Sequence, residues 1–384
     1  MDNKVYVVHC PDYSQAGERL CELLDMMGGI EQYVRPGEDL LLKANLLAPA
    51  APEKAVTTHP AVAAAVAGQV AAAGGKATIA DSPGGYQHKG GLLKRTYEAC
   101  GMAEAAAASG AALNYDISSE EAAFPQGELM RRFEVMSPVL RADGVINLCK
   151  LKTHMFMNMT GAVKNSFGVI PGLSKAEYHT KLQDKVQFAH MLLDLSAFVS
   201  PRLSIMDAVV GMEGEGPGAS GTPRPIGLLL AAENPLALDV VAAALMGLER
   251  AHNPLLLAAE QRGLTPTDLS GVELVGGRME ELKIPDFRLP AQAKKSMLPV
   301  SGFPGPVSAL VKSLFTQTPR VATGRCVGCG ICRNSCPVKA IHITDRKKAK
   351  ISAAQCVRCY CCHELCPHKA IDIRRGPLNR LVEK

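Results

Sequence analysis

Cys326-Val-Gly-Cys329-Gly-Ile-Cys332-Arg-Asn-Ser-Cys336-Pro337 is a C-x2-C-x2-C-x3-C-P run. Thirty residues on, it returns as Cys356-Val-Arg-Cys359-Tyr-Cys-Cys362-His-Glu-Leu-Cys366-Pro367. Three thiolates at this spacing reach three irons of one [4Fe–4S] cubane, and the fourth, beside a proline that turns the chain, ligates a second cluster. The spacing therefore assigns Cys326, Cys329, Cys332 and Cys366 to one cluster, and Cys356, Cys359, Cys362 and Cys336 to another. Zinc would call for two CxxC pairs. Disulfides would call for a small secreted chain with a leader, and no such leader is read here. From Cys326 to Ile343 against Cys356 to Ile373, ten of eighteen positions are identical, so the segment is an internal duplication. Cys361 aligns with Ile331 and reads as a packing residue.

These sixty residues resemble the bacterial-type ferredoxins, which implies an α+β ferredoxin-like C-terminal domain and one-electron transfer. The remaining chain of 384 residues is long enough for one large core or two smaller ones. No run approaches the roughly eighteen apolar residues of a membrane span. With no basic leader and with Cys10, Cys21, Cys100 and Cys149 scattered, the expectation is a reduced, soluble, cytoplasmic protein. Tryptophan is absent and aromatics make up 4%, which argues against a nucleic-acid partner. Residues 320–384 hold fourteen Lys or Arg against four Asp or Glu, a formal +10. The whole chain is +5, so the first 319 residues carry −5. This asymmetry suits docking onto an acidic redox partner of ferredoxin or flavodoxin type, or onto the acidic body of the same chain.

Before the module, strands and helices alternate. Strands are expected at 3–10, 39–47, 76–80, 112–116, 132–136, 144–152, 203–207 and 226–232. Helices are expected from Ser14 to about 27 and at 60–73, 90–100, 102–109, 183–199, 234–246 and 254–262. That order predicts an α/β body with a mostly parallel sheet. Six prolines between 285 and 325 read as a linker, giving a body over 1–284, a linker over 285–324 and the cluster domain over 325–384. A short apolar patch, 307–315, falls within it.

Ligands of an open parallel sheet bind at the carboxyl ends of its strands. Those ends carry Lys43 and Asn45, then Asp81, then Lys150, Lys152 and His154, then Asp207. Period two places Lys150, Lys152 and His154 on one face. Ammonium groups buried together need an anion, so this rim is expected to bind a small anionic molecule. Lys43, Asn45, Asp81, Lys150, Lys164 and Asp207 are the candidate binding residues. Lys152, His154 and His179 are the candidate catalytic ones, the histidines as an acid–base pair. Free N–H groups at the helix start Thr160-Gly161-Ala162-Val163-Lys164 would also favour an anion. The glycine-rich stretch 211–221 reads as a loop lining the site, with Glu213 and Glu215 as exposed acids. Pro217, Pro223 and Pro225 exclude a dinucleotide-binding turn there.

Lys43-Ala-Asn45, Thr57-Thr58-His59-Pro60, Asp81-Ser82-Pro83-Gly84, Lys150-Leu-Lys152-Thr-His154, Thr160-Gly161-Ala-Val-Lys164-Asn165 and Gly214-Glu-Gly216-Pro217 resemble the family called domain of unknown function 362. The resemblance runs in order from about residue 35 to 250. It implies an α/β domain, often followed by a ferredoxin module, and carries no catalytic assignment. The expected function is an iron–sulfur oxidoreductase with two [4Fe–4S] clusters. Its rivals are an electron carrier or assembly factor that grips a partner, and a non-redox isomerase or lyase with structural clusters.

Overall fold

Leu40, Leu41 and Leu42 follow one another in a strand, and all three are buried. A strand apolar on both faces must be covered on both, as in a parallel sheet flanked by helices. The computed structural model describes residues 2–84, 91–172, 174–291, 293 and 317–374. In chain order the strands of the body are β1 (Lys4–His9), β2 (Asp39–Lys43), β3 (Lys76–Ala80), β4 (Ala112–Leu113), β5 (Ser119–Ala123), β6 (Arg132–Met136), β7 (Gly144–His154), β8 (Asn158–Thr160), β9 (Leu203–Gly214), β10 (Gly221–Ala232) and β11 (Glu273–Val275). The main sheet runs β11-β1-β10-β9-β7-β2-β3-β4, with β8 folded back on β7. Pairing is parallel throughout except at β10 and β8. β5 and β6 form a separate hairpin.

Two cores sandwich this sheet. Leu40, Leu42, Ile146, Leu148 and Ile205 face helices Ala16–Met26 and Pro60–Ala72. Leu41, Val145, Cys149 and Met206 face helices Lys185–Val199, Pro235–Leu245 and Pro254–Gln261. Alternate residues of each strand supply alternate cores, the period-two consequence of the pleat. His59 caps the second helix by accepting the Ala61 N–H at Nδ1 (3.2 Å), with Pro60 at the first turn. The first helix begins later than expected. Asp12, not Ser14, caps a single 3-10 turn before it. Among the described residues no helix is long and apolar enough to cross a membrane.

The stretch 211–221 corrects the loop reading. β9 continues through Glu213 to Gly214 and pairs with β10, leaving only 215–220 as a turn. Glu213 is consequently buried rather than exposed, and its carboxylate accepts the Arg288 Nε–H (2.7 Å).

The cluster module is small and self-paired. β12 (Thr318–Val321) pairs β15 (Ile371–Arg374), and β13 (Ile341–Ile343) pairs β14 (Ala349–Ile351). β12 falls inside the range expected as linker, so the module's own sheet takes in that strand. Phe287 and Ala293 are buried in the body's core, so the start of that range packs on the body. Prolines 299, 304 and 306 and the apolar patch 307–315 lie outside the described residues, as does 375–384.

Candidate functional site

β7, β2 and β3 are neighbours, so their carboxyl ends bring Lys152 and His154, Asn45, and Asp81 to one rim. A cavity of about 470 Å³ opens there, lined by these four together with Lys164, Lys175 and His179. The opposite wall comes from the module and includes Cys336, Cys361 and Glu364.

Not every expected rim residue faces the cavity. Lys43 is buried against Asp81, Nζ to Oδ1 2.9 Å, and also donates to the Ala44 carbonyl (2.6 Å). Lys150 is buried against Asp207, Nζ to Oδ2 2.6 Å, and donates to Tyr13 Oη (2.9 Å). Asp207 also accepts the His59 N–H (2.8 Å). Lys43, Lys150 and Asp207 therefore stand behind the site, where internal ion pairs already supply the counter-charge that was expected from a ligand. The β7–β9 register shifts between Lys150 and Lys152, which separates the two lysines' surroundings. The helix start at Gly161 is corrected likewise. Asp239 accepts the N–H groups of Ala162 (2.5 Å) and Val163 (3.0 Å), so an internal carboxylate fills that anion position. Burial pushes the Asp239 carboxyl up to about 7.

Lys152 has no such carboxylate. Its ammonium donates to Asn45 Oδ1 and to the Val56 carbonyl, both at 2.6 Å. Asn45 is oriented in turn, its Nδ2 donating to Asn165 Oδ1 (2.9 Å). Burial first, then repulsion from Lys164 and Lys150, brings Lys152 down to about 7. Lys175 donates to the Ser82 carbonyl and is likewise brought to about 7 by burial. Lys164 keeps part of its surface open to the cavity. Its ammonium lies over the Phe167 ring, 5.8 Å from the centroid.

Both histidines line the cavity and are buried. His154 Nδ1 accepts the N–H groups of Phe156 (3.0 Å) and Met157 (3.2 Å), which places the ring proton on Nε2. Nε2 approaches Glu364 Oε1 at 3.3 Å, and among the described residues that oxygen has no hydrogen-bond partner. His179 stacks on Phe188 (centroids 4.6 Å apart) with Nδ1 unpartnered. Burial holds His179 near 3 and His154 well below its ordinary value, so both rings are neutral near pH 7. Lys152 and Lys175 are the lining residues brought to about 7.

Glu364 and Lys175 were not anticipated. Glu364 sits between two cluster cysteines and enters the body's cavity from the module. The aligned position in the first copy is Asn334, so the one sequence signal was an isolated acid in a strongly basic module. Lys175 lies on helix Ser174–Lys181, a segment whose polar composition gave no strand-end signal.

The module's cysteines form two rings. Cys326, Cys329, Cys332 and Cys366 surround one small cavity, and Cys336, Cys356, Cys359 and Cys362 surround another together with Cys361. Each ring draws one cysteine from the other copy, as the spacing required. Backbone N–H groups of Ala340 and Ala370 donate to Cys336 Sγ (3.2 Å) and Cys366 Sγ (3.3 Å) at matching positions of the repeat. Four thiols with N–H···S support fit an iron–sulfur cluster. The second ring shares Cys336 with the wall of the large cavity.

The module docks by its helix Cys361–Glu364. Gly218 lies so close to the Glu364 carbonyl oxygen that a Cβ there would stand 2.0 Å from it. His363 Nε2 meets the Glu215 carbonyl at 3.2 Å, and Tyr360 is buried with the body's core.

Comparison with known proteins agrees with this division. Residues 40–244 match the family described as Domain of unknown function (DUF362), and residues 325–370 match a 4Fe-4S dicluster domain. A relative named Thylakoid-associated protein sll1697, from Synechocystis sp., is 34% identical over 284 residues, covering 72% of this chain and 84% of its own. Among solved structures, the lactate racemase apoprotein from Thermoanaerobacterium thermosaccharolyticum aligns at 11% identity and a TM-score of 0.37. That alignment covers 61% of this chain and 55% of the racemase, a likeness too slight to speak for activity. The chain belongs to the DUF362 family, and its body is joined to a domain that binds iron–sulfur clusters.

Proposed function

We propose that the protein is a cytoplasmic iron–sulfur oxidoreductase holding two [4Fe–4S] clusters, which passes electrons to a small anionic molecule in the cavity between body and module. The observation that carries this reading is Cys336, which belongs to the second cysteine ring and to the cavity wall at once. When bound, the clusters supply electrons singly at potentials set by their surroundings.

The chain's own residues provide the rest. Lys152 and Lys164 attract the anion, and the apolar walls at Leu46, Phe167 and Leu365 exclude water from it. Lys152, brought to about 7, is poised to donate a proton as the substrate gains charge. His154 and His179, kept neutral, orient rather than ionise. On the far side, Cys329 is exposed beside Val327 (55% exposed) and Ile331 (39% exposed). An apolar patch over the first ring in a basic module suits an acidic one-electron carrier as donor.

The test is spectroscopic. Anaerobically purified protein should hold about eight irons per chain. After reduction, small carboxylates or phosphates should perturb the electron paramagnetic resonance signal of the cluster at the second ring and leave that at the first unchanged. Cys336→Ala should remove the perturbed signal. Stoichiometric zinc, or bound anions that leave both signals untouched, would overturn the reading.

A further inference from the structure

Among the described side chains, before the charge of a cluster at the second ring is counted, the cavity's charges do not balance. Three lysines line it without a carboxylate partner among the described residues. Lys152 donates only to neutral oxygens, Asn45 Oδ1 and the Val56 carbonyl. Lys175 meets the neutral Ser82 carbonyl. Among the described residues Lys164 makes no hydrogen bond or ion pair, yet its charge bears on Lys152, His154, His179, Lys175 and Glu364 alike, which puts it at the centre of the group. The lining acids offer little against them. Asp81 is committed to Lys43, and its other oxygen accepts the Leu46 N–H (2.5 Å). Glu177 pairs with Lys181 on the exposed rim (3.3 Å). Glu364 alone remains. With Lys152 and Lys175 protonated, three ammonium groups face one carboxylate, an excess of two positive charges in an apolar-walled cavity, where uncompensated charge is costly.

A second observation points to the same occupant. Thr160 Oγ1, His179 Nδ1 and Glu364 Oε1 are buried, lack hydrogen-bond partners among the described residues and belong to residues that line this cavity, Glu364 Oε1 lying 3.3 Å from His154 Nε2. Unpartnered buried polar atoms call for an explanation, and a ligand in this cavity would complete these three. We propose that the cavity takes a dianion, a dicarboxylate or a phosphate monoester, anchored at Lys164 and bearing a hydroxyl or similar group for the unpartnered atoms. This rests on the reading of the cavity as the substrate site and gives that substrate its chemical class. Once Lys152 and Lys175 are both protonated, a monoanion would leave one of the side-chain charges unanswered.

The test uses the anaerobic holoprotein and calorimetry at pH 7, without turnover. Succinate is compared with its monomethyl ester, which has similar shape and one charge fewer, and glycerol phosphate is compared with glycerol. The expected result is one dianion per chain, bound at least tenfold more tightly than its partner of lower charge. Lys164→Met should abolish the tenfold preference and Lys164→Arg should restore it, with iron content unchanged in both. Equal affinity for succinate and its ester, binding of two monoanions in place of one dianion, or no binding by either dianion would each overturn the proposal. A dianion that binds selectively but leaves both cluster signals unchanged would instead remove the electron-delivery reading and leave the dianion site standing.

Discussion

Lys152 illustrates how one residue reports on a missing partner. Its ordinary value is 10.5, and burial among other cations brings it to about 7. Lys175 follows it. The unfolded chain keeps these protons up to about pH 10.5, whereas the folded chain releases them above about 7. Ligand-free stability should therefore rise with pH from 7 upward. Above about pH 9 the buried Cys10 and Cys100 thiols, pushed from 9.0 to about 11, act in the opposite direction. Anaerobic urea midpoints across pH 7 to 9 should climb, and saturating dianion should flatten the slope by restoring both ammonium groups. A falling midpoint without ligand would contradict uncompensated lysines. Strand-end position made Lys152, His154, Asn45 and Asp81 legible in the sequence. The pairing of Lys43 with Asp81 and of Lys150 with Asp207 was not, because local spacing does not say which acid a neighbouring strand presents. Asp239 was hidden for the same reason, since it fills a helix start 77 residues earlier in the chain.

At the scale of elements, the parallel sheet and its flanking helices were readable because central strands such as β2, β7 and β9 carry near-continuous apolar runs with turn residues between. Glycines misled at 211–221, where β9 runs on through them. Gly211 lies against the Leu151 carbonyl and Gly216 against the Thr153 carbonyl, so closeness to β7, not looseness, accounts for them. The two cluster motifs share backbone geometry more fully than sequence. Gly328 and Gly330 have φ of 71° and 80°, and Arg358 and Tyr360 take the equivalent positions at 60° and 62° despite their side chains. The docking turn supplies a direct check. Gly218→Ala should push against the Glu364 carbonyl and shift the helix Cys361–Glu364, at a cost of about 1–3 kcal/mol. Iron content should persist while succinate affinity falls at least tenfold. Unchanged affinity would mean that this contact does not shape the cavity.

The whole molecule is electrically divided, −5 over the first 319 residues and +10 over the rest. Partial cancellation within the chain leaves the outer face of the module basic, around Arg333 and the run Arg346-Lys347-Lys348. Reduction by an acidic ferredoxin or flavodoxin should slow as ionic strength rises past physiological, where screening already acts within about 8 Å. Stopped-flow rates from low to high salt would show it, and a flat profile would exclude docking by charge. Composition predicted this asymmetry directly. It could not predict that the module also closes the body's cavity, because Glu364, Leu365 and Cys336 meet the rim only once both parts are folded. Helix Cys361–Glu364 holds a metal ligand, Cys362, and a cavity wall, Glu364, within one turn, and metal binding of this kind carries folding with it. On the proposed function, iron supply and oxygen damage should bear on substrate capture as well as on electron flow.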